Sequence, residues 1–283
     1  MSLPAYAGPL ERTWYYVYRV ICGCIFFFLI APIVVIVPLS FNAEPYFTFT
    51  KAMLHLDPAG FSLRWYHAFL TGPQWLLGIK NSFIIATFST ILATSLGTLA
   101  ALGLSKSYIP GRNALMALLI SPMVVPLIIS GAGMYFFYSS IGLVATYPGI
   151  ILAHTCLGTP FVIITVTATM VGFDQTLTRA SATCGADPTT TFFKVTMPLI
   201  APGVISGALF AFVTSLDEIV IVYFIAGPNQ KTVPLKMFSG LREQISPTIL
   251  AVATVLVGIS IVLLTSLELI RRRNERLRGI VPQ

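Results

Sequence analysis

Residues 174–207 read DQTLTRASATCGADPTTTFFKVTMPLIAPGVISG and form the only polar interval between residues 113 and 216. Asp174 is suited to start a first short helix, because its side-chain oxygen can accept hydrogen bonds from the free backbone N–H groups of the first turn. Gly185 is suited to end that helix, since glycine adopts the left-handed conformation without a steric penalty. The first half of the stretch therefore predicts a short helix closed by a glycine turn.

The second half of the stretch predicts another short helix. Asp187 followed by Pro188 is a specific helix start, because the N–H group that proline lacks would have no partner at that position. Pro198 is expected to end this helix after about two turns. The helix carries Phe192 and Phe193 among threonines, and it is too short to bury a core of its own. We interpret it as an apolar wedge that fits a groove on another protein.

Composition places this stretch in a membrane protein. Of 283 residues, 56% are hydrophobic and 10% charged, and the mean hydropathy is +0.86, which leaves too few charges to cover a water-facing surface. The net charge of +7 does not indicate nucleic-acid binding, because the densest group of arginines, within residues 271–278, directly follows an apolar run. A single membrane-spanning domain over residues 1–283 is predicted, with no nucleic-acid partner.

Charge-free runs set the expected topology, because a helix needs about 20 apolar residues to cross the hydrocarbon core. Small residues at Ala93, Gly97 and Ala101 predict a helix face that packs closely on another helix, within the subunit or across a dimer. A kink is expected at Pro122 and Pro126. The predicted crossings are at about residues 18–40, 79–105, 113–138, 149–172, 200–226 and 247–270.

The positive-inside rule orients these crossings. With the N-terminus in the cytoplasm, eleven Lys and Arg residues fall inside and six outside. The polar stretch then lies in the cytoplasm, as do an N-terminal tail over about residues 1–17 and a basic tail over about 271–283. Trp65 and Tyr66 fall in the first outer loop, where they are expected either at headgroup depth or against a docking partner.

Two adjacent carboxylates interrupt the fifth predicted crossing. Asp217 and Glu218 lie in its outer half, and ionisable groups at such depth usually face a bundle interior or a watery cavity. Adjacent positions on a continuous helix point about 100° apart, so we expect Asp217 on a solute pathway and Glu218 against a neighbouring helix or subunit; the reverse assignment and a purely structural pair stay open. The acids favour a cationic solute. Tyr223 and the aromatic residues at 135–138 offer cation–π contacts to such a solute or serve only as core or belt residues.

The chain has no recognisable catalytic or metal-binding set. His55, His67 and His154 are scattered, and His154 is expected either to pack two helices or to line a polar pathway. The four cysteines imply neither a disulfide framework nor a zinc site. No phosphate-binding glycine loop with Lys-Ser/Thr is present, so no cofactor is expected and any ATP would be bound by another subunit.

The polar stretch resembles the cytoplasmic EAA loop of ABC importer permeases, whose pattern is Glu-Ala-Ala, three residues, Gly, and a basic-aromatic helix that ends in a leucine-proline pair. Gly185 stands at the glycine, Met197 and Pro198 at the terminal pair, and Arg-Ala-Ser at residues 179–181 replaces Glu-Ala-Ala.

The likeness extends over most of the chain. LIAPGVISGALFAF and SLDEIVI within residues 199–221, and GPNQKTVPL at 227–235, resemble the polyamine (spermidine and putrescine) permeases of the PotC type. SFN at 40–42, SLRWY at 62–66 and NS at 81–82 also fit this family.

The resemblance implies an all-α type I ABC importer permease with six transmembrane helices in the bacterial inner membrane, both termini cytoplasmic. It implies a transport subunit without a catalytic site, partnered by a second homologous permease, two ATPase subunits that bind ATP and Mg, and a periplasmic polyamine-binding protein. The coupling loop over about residues 173–199 would contact the ATPase through Gly185, Asp187, Pro188, Phe192, Phe193, Lys194 and Pro198.

Other functions remain open at this point. An ABC permease for 4-aminobutyrate, an opine or an organophosphonate amine is the main alternative, because fold does not fix substrate. A secondary transporter would usually show internal inverted repeats, and a membrane-embedded enzyme would need clustered catalytic groups; the sequence supplies neither.

Overall fold

A computed structural model describes residues 8–105, 109–243 and 246–277 of the chain. These residues are helical apart from loops and one isolated β-bridge between Asn42 and Phe61. Short 3₁₀ turns at Pro58–Gly60 and Pro228–Gln230 and a π-helical turn at Phe192–Thr196 supplement the α-helices. The α-helices of the described residues are α1 (Pro9–Leu39), α2 (Lys51–Leu54), α3 (Arg64–Thr71), α4 (Pro73–Leu104), α5 (Arg112–Val124), α6 (Leu127–Ser140), α7 (Tyr147–Val171), α8 (Thr176–Thr183), α9 (Pro188–Thr191), α10 (Met197–Asp217), α11 (Val220–Ile225), α12 (Val233–Glu243) and α13 (Thr248–Leu277).

Five helical segments of the described residues are long and apolar enough to cross a membrane, and the bent pair α5–α6 supplies a sixth candidate. The five are α1, α4, α7, the run Pro188–Asp217 and the apolar part of α13. The predicted number of crossings is therefore confirmed, whereas three predicted details of individual helices are not.

The predicted third crossing is broken rather than kinked. The chain bends by 101° between α5 and α6. Val125 is extended, with φ −68° and ψ 132°, because the ring of Pro126 disfavours the helical conformation in the residue before it. Pro122, in contrast, is accommodated inside α5. The expectation of one continuous helix over residues 113–138 is therefore wrong.

The predicted fifth crossing is also interrupted. α10 ends at Asp217, Glu218 is extended with φ −73° and ψ 123°, and the helix restarts at Val220. A Glu218 carboxylate oxygen accepts a hydrogen bond from the Ile221 N–H at 2.9 Å, so the side chain satisfies one of the free donors of the new helix. The expectation that Asp217 and Glu218 lie on one continuous helix is therefore wrong.

Pro198 does not end the second helix of the polar stretch. The helical run continues from α9 through the π-helical turn into α10, over Pro188–Asp217. In the π turn the Met197 N–H bonds to the Phe192 carbonyl, five residues back. Pro198 then lies in the first turn of α10, where its missing N–H group is tolerated. The short helix that carries Phe192 and Phe193 is therefore continuous with a candidate membrane span.

The described chain divides into two compact units, Met1–Leu70 with Ile245–Val257 and Thr71–Gln244 with Gly258–Gln283. In the first unit, two of the sequence motifs bind each other. Asn42 is fully buried, its backbone oxygen accepts from the Trp65 indole N–H at 2.8 Å, and the Ser40 and Tyr66 hydroxyls lie 2.6 Å apart. Trp65 and Tyr66 thus hold the loop that contains SFN, a role that the sequence interpretation missed.

The second unit is built around α4, α7 and α10, which pack on one another. Ala93 and Ala101 are fully buried, and a Cβ atom at Gly97 would lie 2.7 Å from the Cβ atom of Val162 on α7. The small-residue face of α4 therefore packs on a helix of the same subunit, which is one of the two arrangements predicted for it.

Candidate coupling segment and solute cavities

The turn between α8 and α9 has the geometry of a Schellman helix end. Gly185 has φ +84°. Its N–H donates to the Ala182 carbonyl at 2.9 Å, and the Ala186 N–H donates to the Ser181 carbonyl at 3.0 Å. Only glycine adopts this φ freely, so Gly185 fixes the angle between the two short helices, as the sequence predicted.

Both aspartates of the stretch lie at helix starts. The Thr176 N–H donates to the Asp174 carboxylate at 2.9 Å, and this hydrogen bond lowers the pKa of Asp174. A hydrogen bond from the Thr190 side chain lowers the pKa of Asp187, whose backbone oxygen accepts from the Thr191 N–H at 2.9 Å. Asp187 and Pro188 therefore begin α9, as predicted.

A side-chain hydrogen bond joins α8 to α9. The hydroxyl groups of Ser181 and Thr191 lie 2.7 Å apart. Ser181 is the residue that replaces the second alanine of the EAA pattern, and here it holds the two helices together. Arg179, which replaces the glutamate of that pattern, is exposed on α8.

The far end of α9 presents an aromatic pair. The Phe192 and Phe193 rings contact edge to face with centroids 4.9 Å apart, and Phe193 is 63% exposed. Lys194 beside them is also exposed. Nearby, Leu177 is exposed and borders a cavity of about 250 Å³. The cavity is lined by Thr169, Gly172, Phe173, Asp174, Leu177 and Leu199. An exposed aromatic pair at the surface is typical of a site that binds another protein.

The two adjacent acids lie in different environments. Asp217 is exposed at the end of α10, whereas Glu218 is only 7% exposed. Glu218 borders a cavity of about 180 Å³ between α5, α6, α7 and α10. Its lining consists of Pro122, Met123, Leu127, Leu157, Phe161, Thr214 and Glu218.

Aromatic side chains from α6 and α11 surround a second cavity. It measures about 340 Å³ and is lined by Ala132, Tyr135, Phe136, Tyr223 and Phe224. A Cβ atom at Gly131 would lie 2.7 Å from the Phe224 ring, so α6 and α11 pack closely. The structure thus brings Tyr223 together with Tyr135 and Phe136, two of the aromatic residues at 135–138 that the sequence analysis grouped with it as possible contacts for an amine.

Two buried polar networks join the helices, and sequence reasoning missed their partners, although His154 packs two helices as one of its two predicted roles required. His154 is 2% exposed, and its Nδ1 lies 2.7 Å from the hydroxyl of Ser215, to which Ser89 donates at 3.1 Å. These three residues join α7, α10 and α4. The signal in the sequence was weak, because isolated serines in apolar helices have many roles.

The second network fixes the segment after α11. The Asn81 side-chain amide donates to the carbonyls of Asn229 and Lys231 at 2.8 and 2.9 Å and accepts from the Tyr147 hydroxyl at 2.7 Å. The hydroxyl of Ser82 accepts from the Val233 N–H at 2.9 Å. One hydrogen-bond network therefore holds the NS motif at residues 81–82 against the GPNQKTVPL motif at residues 227–235.

Within the described residues, five membrane-spanning candidates and the bent pair α5–α6 define an integral membrane protein. The chain belongs to the family of binding-protein-dependent transport system inner membrane components, which matches residues 93–277. It is therefore a transport permease subunit of an inner membrane.

Curated relatives resemble the chain over nearly their full lengths. It is 30% identical to the spermidine/putrescine transport system permease protein PotC of Haemophilus influenzae, over 88% of this chain and 94% of that protein. It is 31% identical to the putrescine transport system permease protein PotI of Escherichia coli K12, over 88% of each chain.

Solved structures share the fold. A chain of a bacterial ABC transporter involved in import of the acidic polysaccharide alginate aligns with a TM-score of 0.68 and 17% identity, over 93% of this chain and 97% of that one. A chain of the MetNI methionine ABC transporter in inward-facing conformations aligns with a TM-score of 0.56 and 18% identity, over 70% of this chain and 96% of that one. The fold is therefore that of an ABC importer permease.

Proposed function

We propose that this chain is the permease subunit of an ATP-driven importer of polyamines such as spermidine and putrescine. The observation that carries this proposal is the 30–31% identity with permeases named for these solutes, which extends over most of both chains. Acidic and aromatic groups next to the cavities of the membrane helices suit a polyvalent cation.

In this proposal the ATPase binds to α8, α9 and the π-helical turn at Phe192–Thr196, which together form the coupling segment. Two ATPase subunits bind ATP and Mg, so the permease needs no cofactor of its own. The exposed ring of Phe193, together with Phe192, would anchor the ATPase contact, with Lys194 beside them. Gly185, Asp187 and Pro188 set the geometry of the helix pair.

Movement of the ATPase would reach the membrane through one continuous helix. The run Pro188–Asp217 contains 30 residues and would measure about 45 Å at the α-helical rise. It begins at the coupling segment, includes Pro198, and ends at the break next to Glu218. A rigid connection of this kind suits alternating access, in which one end of a helix follows the motor and the other opens or closes the pathway.

The positive-inside rule supports a cytoplasmic coupling segment and cytoplasmic termini in the bacterial inner membrane. The apolar part of α1 has no buried share within the structure, and Phe27 and Phe28 are each 76% exposed. Such a surface needs lipid or a second chain to cover it. We assign it to the bilayer and to a second, homologous permease subunit, while a periplasmic polyamine-binding protein delivers the solute to the outer loops.

Asp217, Glu218 and Tyr223 are the proposed pathway residues. Asp217 would attract the solute from the outer side, and Tyr223 would contact it through the face of its ring.

Reconstitution of the complete importer in vesicles tests the proposal. ATP-dependent uptake of labelled putrescine or spermidine, absent without the ATPase or the binding protein, is the expected result. A panel of competitors that includes 4-aminobutyrate, an opine and an aminophosphonate tests the solute class, since stronger competition by one of these would reassign the substrate. Uptake driven by an ion gradient without ATP would identify a secondary transporter.

A further inference from the structure

One face of α10 carries a small residue at every fourth position, a spacing that places side chains on the same side of a helix. The four residues are Gly203, Gly207, Ala211 and Ser215. This face lies against α7, because a Cβ atom at Gly207 would lie 2.5 Å from the Thr165 hydroxyl and one at Gly158 would lie 3.0 Å from the Ala211 Cβ atom. The two helices therefore approach closely along the length of α10.

The last residue of this face attaches α10 to its two neighbours. The Ser215 hydroxyl lies 2.7 Å from His154 Nδ1 on α7 and accepts from the Ser89 hydroxyl on α4 at 3.1 Å. We call these three buried residues the polar layer. Within the described part of the chain, no other side-chain hydrogen bond joins α10 to α4 or α7. Since Ser215 lies three residues before Glu218, hydrogen bonds hold α10 only at the end next to its break.

The polar layer is not fully satisfied. His154 Nε2 is buried and has no hydrogen-bond partner among the described residues. A buried polar atom without a partner is unfavourable, because the hydrogen bonds that it would make to water are not replaced. The layer therefore specifies one position of α10 without holding it strongly, as suits a contact that is broken and formed again in each transport cycle.

We propose that the polar layer is a latch, which holds the end of α10 against α4 and α7 and opens when the long helix Pro188–Asp217 moves. This role rests on the proposed function, in which movement of the ATPase passes along that helix. The small residues on the same face allow α10 to slide against α7 by the small shear movements that packed helices undergo. The hydrogen bonds of Ser215 are then the directional contacts that oppose the movement.

Ser215→Ala removes the latch with little change in volume. Thr165→Val is the matched control, because it also removes a hydroxyl from the interface of α7 with α10. The Thr165 hydroxyl, however, donates within its own helix, to the Phe161 and Val162 carbonyls at 3.0 and 3.1 Å. The experiment uses the complete importer in vesicles and measures ATP hydrolysis without the binding protein, ATP hydrolysis with the loaded binding protein, and solute uptake.

We expect Ser215→Ala to raise ATP hydrolysis without the binding protein by roughly three- to tenfold, the effect of one typical hydrogen bond on a barrier. Uptake per ATP should fall, whereas Thr165→Val should match the wild type in both measurements. Unchanged hydrolysis without the binding protein in assembled Ser215→Ala would overturn the latch. A parallel loss of hydrolysis and uptake would identify a fixed support and would overturn it as well.

Hydrolysis without the binding protein reports on the latch in the absence of solute. ATP-dependent uptake of a solute other than a polyamine by the wild type would therefore overturn the proposed substrate, while the comparison of Ser215→Ala with Thr165→Val would still decide the latch.

A pair of variants at His154 decides the matter if Ser215→Ala does not assemble. Asparagine places a polar atom near the position of Nδ1 and can still bond to Ser215, whereas leucine cannot. His154→Asn should keep ATP hydrolysis without the binding protein close to the wild-type rate, and His154→Leu should raise it by roughly three- to tenfold. Equal rates in these two variants would overturn the latch.

Discussion

Gly185 fixes the coupling segment at the scale of a single residue. Its φ of +84° lies in the region where a side chain other than glycine costs about 1 kcal/mol. Gly185→Ala should therefore reorient α9 relative to α8 and weaken ATPase association several-fold, measured by co-purification and stimulated turnover. Gly172→Ala is the control, because Gly172 has a negative φ of −92° and open space around it. Equal ATPase association in both variants would exclude a role for the turn.

Asp217 is expected to contribute to solute uptake in a different way from Glu218. It is exposed at the end of α10, outside the lining of the Glu218 cavity. Asp217→Asn should lower uptake at low solute concentration by roughly tenfold, because carboxylates near a pathway raise the local concentration of cations. The effect should shrink as salt is added. Glu44→Gln in the first outer loop serves as the control, and wild-type kinetics for Asp217→Asn would remove this residue from the pathway.

The ends of the short helices could be predicted from residue chemistry because capping is local. Gly185 and the Asp187-Pro188 pair were correctly placed, whereas Asp174 lies one residue before the N-cap, Gln175, and accepts the Thr176 N–H from there. The contacts of Asn81 and His154 could not be predicted in this way, since their partners are 61 to 150 residues away along the chain.

At the scale of helices, the positions at which a span is interrupted were harder to predict than the spans themselves. Pro126 gave a local signal, but a proline alone predicts a kink, whereas the observed angle of 101° depends on how α6 packs against α11. The break at Glu218 gave no such signal, because DEIVI contains neither proline nor glycine. There the side chain of Glu218 competes with the helix for the Ile221 N–H.

Pro198 illustrates the converse case, in which a proline that was predicted to end a helix lies inside a continuous helical run. The π-helical turn before it places the proline in the first turn of α10. A sequence pattern cannot distinguish a proline that ends a helix from one that the preceding turn accommodates.

The aromatic tip of α9 is the part of the helix pair that we expect to carry the binding energy. Replacing both Phe192 and Phe193 with alanine should cost about 2 kcal/mol of ATPase association, or roughly thirtyfold in Kd, because buried aromatic anchors dominate interfaces. Binding of the purified ATPase to the permease complex measures this loss. Phe88→Ala on α4, whose side chain is 55% exposed, is the control for removal of aromatic area. Full ATPase binding by the first variant would contradict the proposed role.

At the scale of the whole molecule, close helix packing holds the second unit together. A Cβ atom at Gly207 on α10 would lie 2.5 Å from the Thr165 hydroxyl and 2.7 Å from the Val162 Cα on α7. Gly207→Ala should push α10 away from α7 and lower stability by roughly 1–3 kcal/mol. Thermal unfolding in detergent is the measurement. Gly133→Ala is the control, since a Cβ atom there meets nothing within 4 Å, and equal melting temperatures would contradict this packing argument.

The sequence predicted the membrane architecture as a whole but not its cavities. Hydropathy specifies how many spans exist, because it depends on the solvent around each segment. A cavity depends on where two breaks meet in space, which is decided by tertiary packing. The aromatic residues of α6 and α11 were grouped correctly by composition, while the pairing of Glu218 with Pro122 and Leu127 emerged only from the fold.

The π turn at Phe192–Thr196 also sets the angular phase between the two ends of the long helix. Each residue of an α-helix advances the side chains by about 100°, so a single deletion in the regular part of α10 would rotate Phe193 by about that angle relative to the Glu218 break. A single deletion inside the π turn would instead be absorbed by its conversion to an α turn. Coupling through this helix would therefore require a fixed number of residues in α10, whereas the π turn could lose one residue without changing the relative orientation of the two ends.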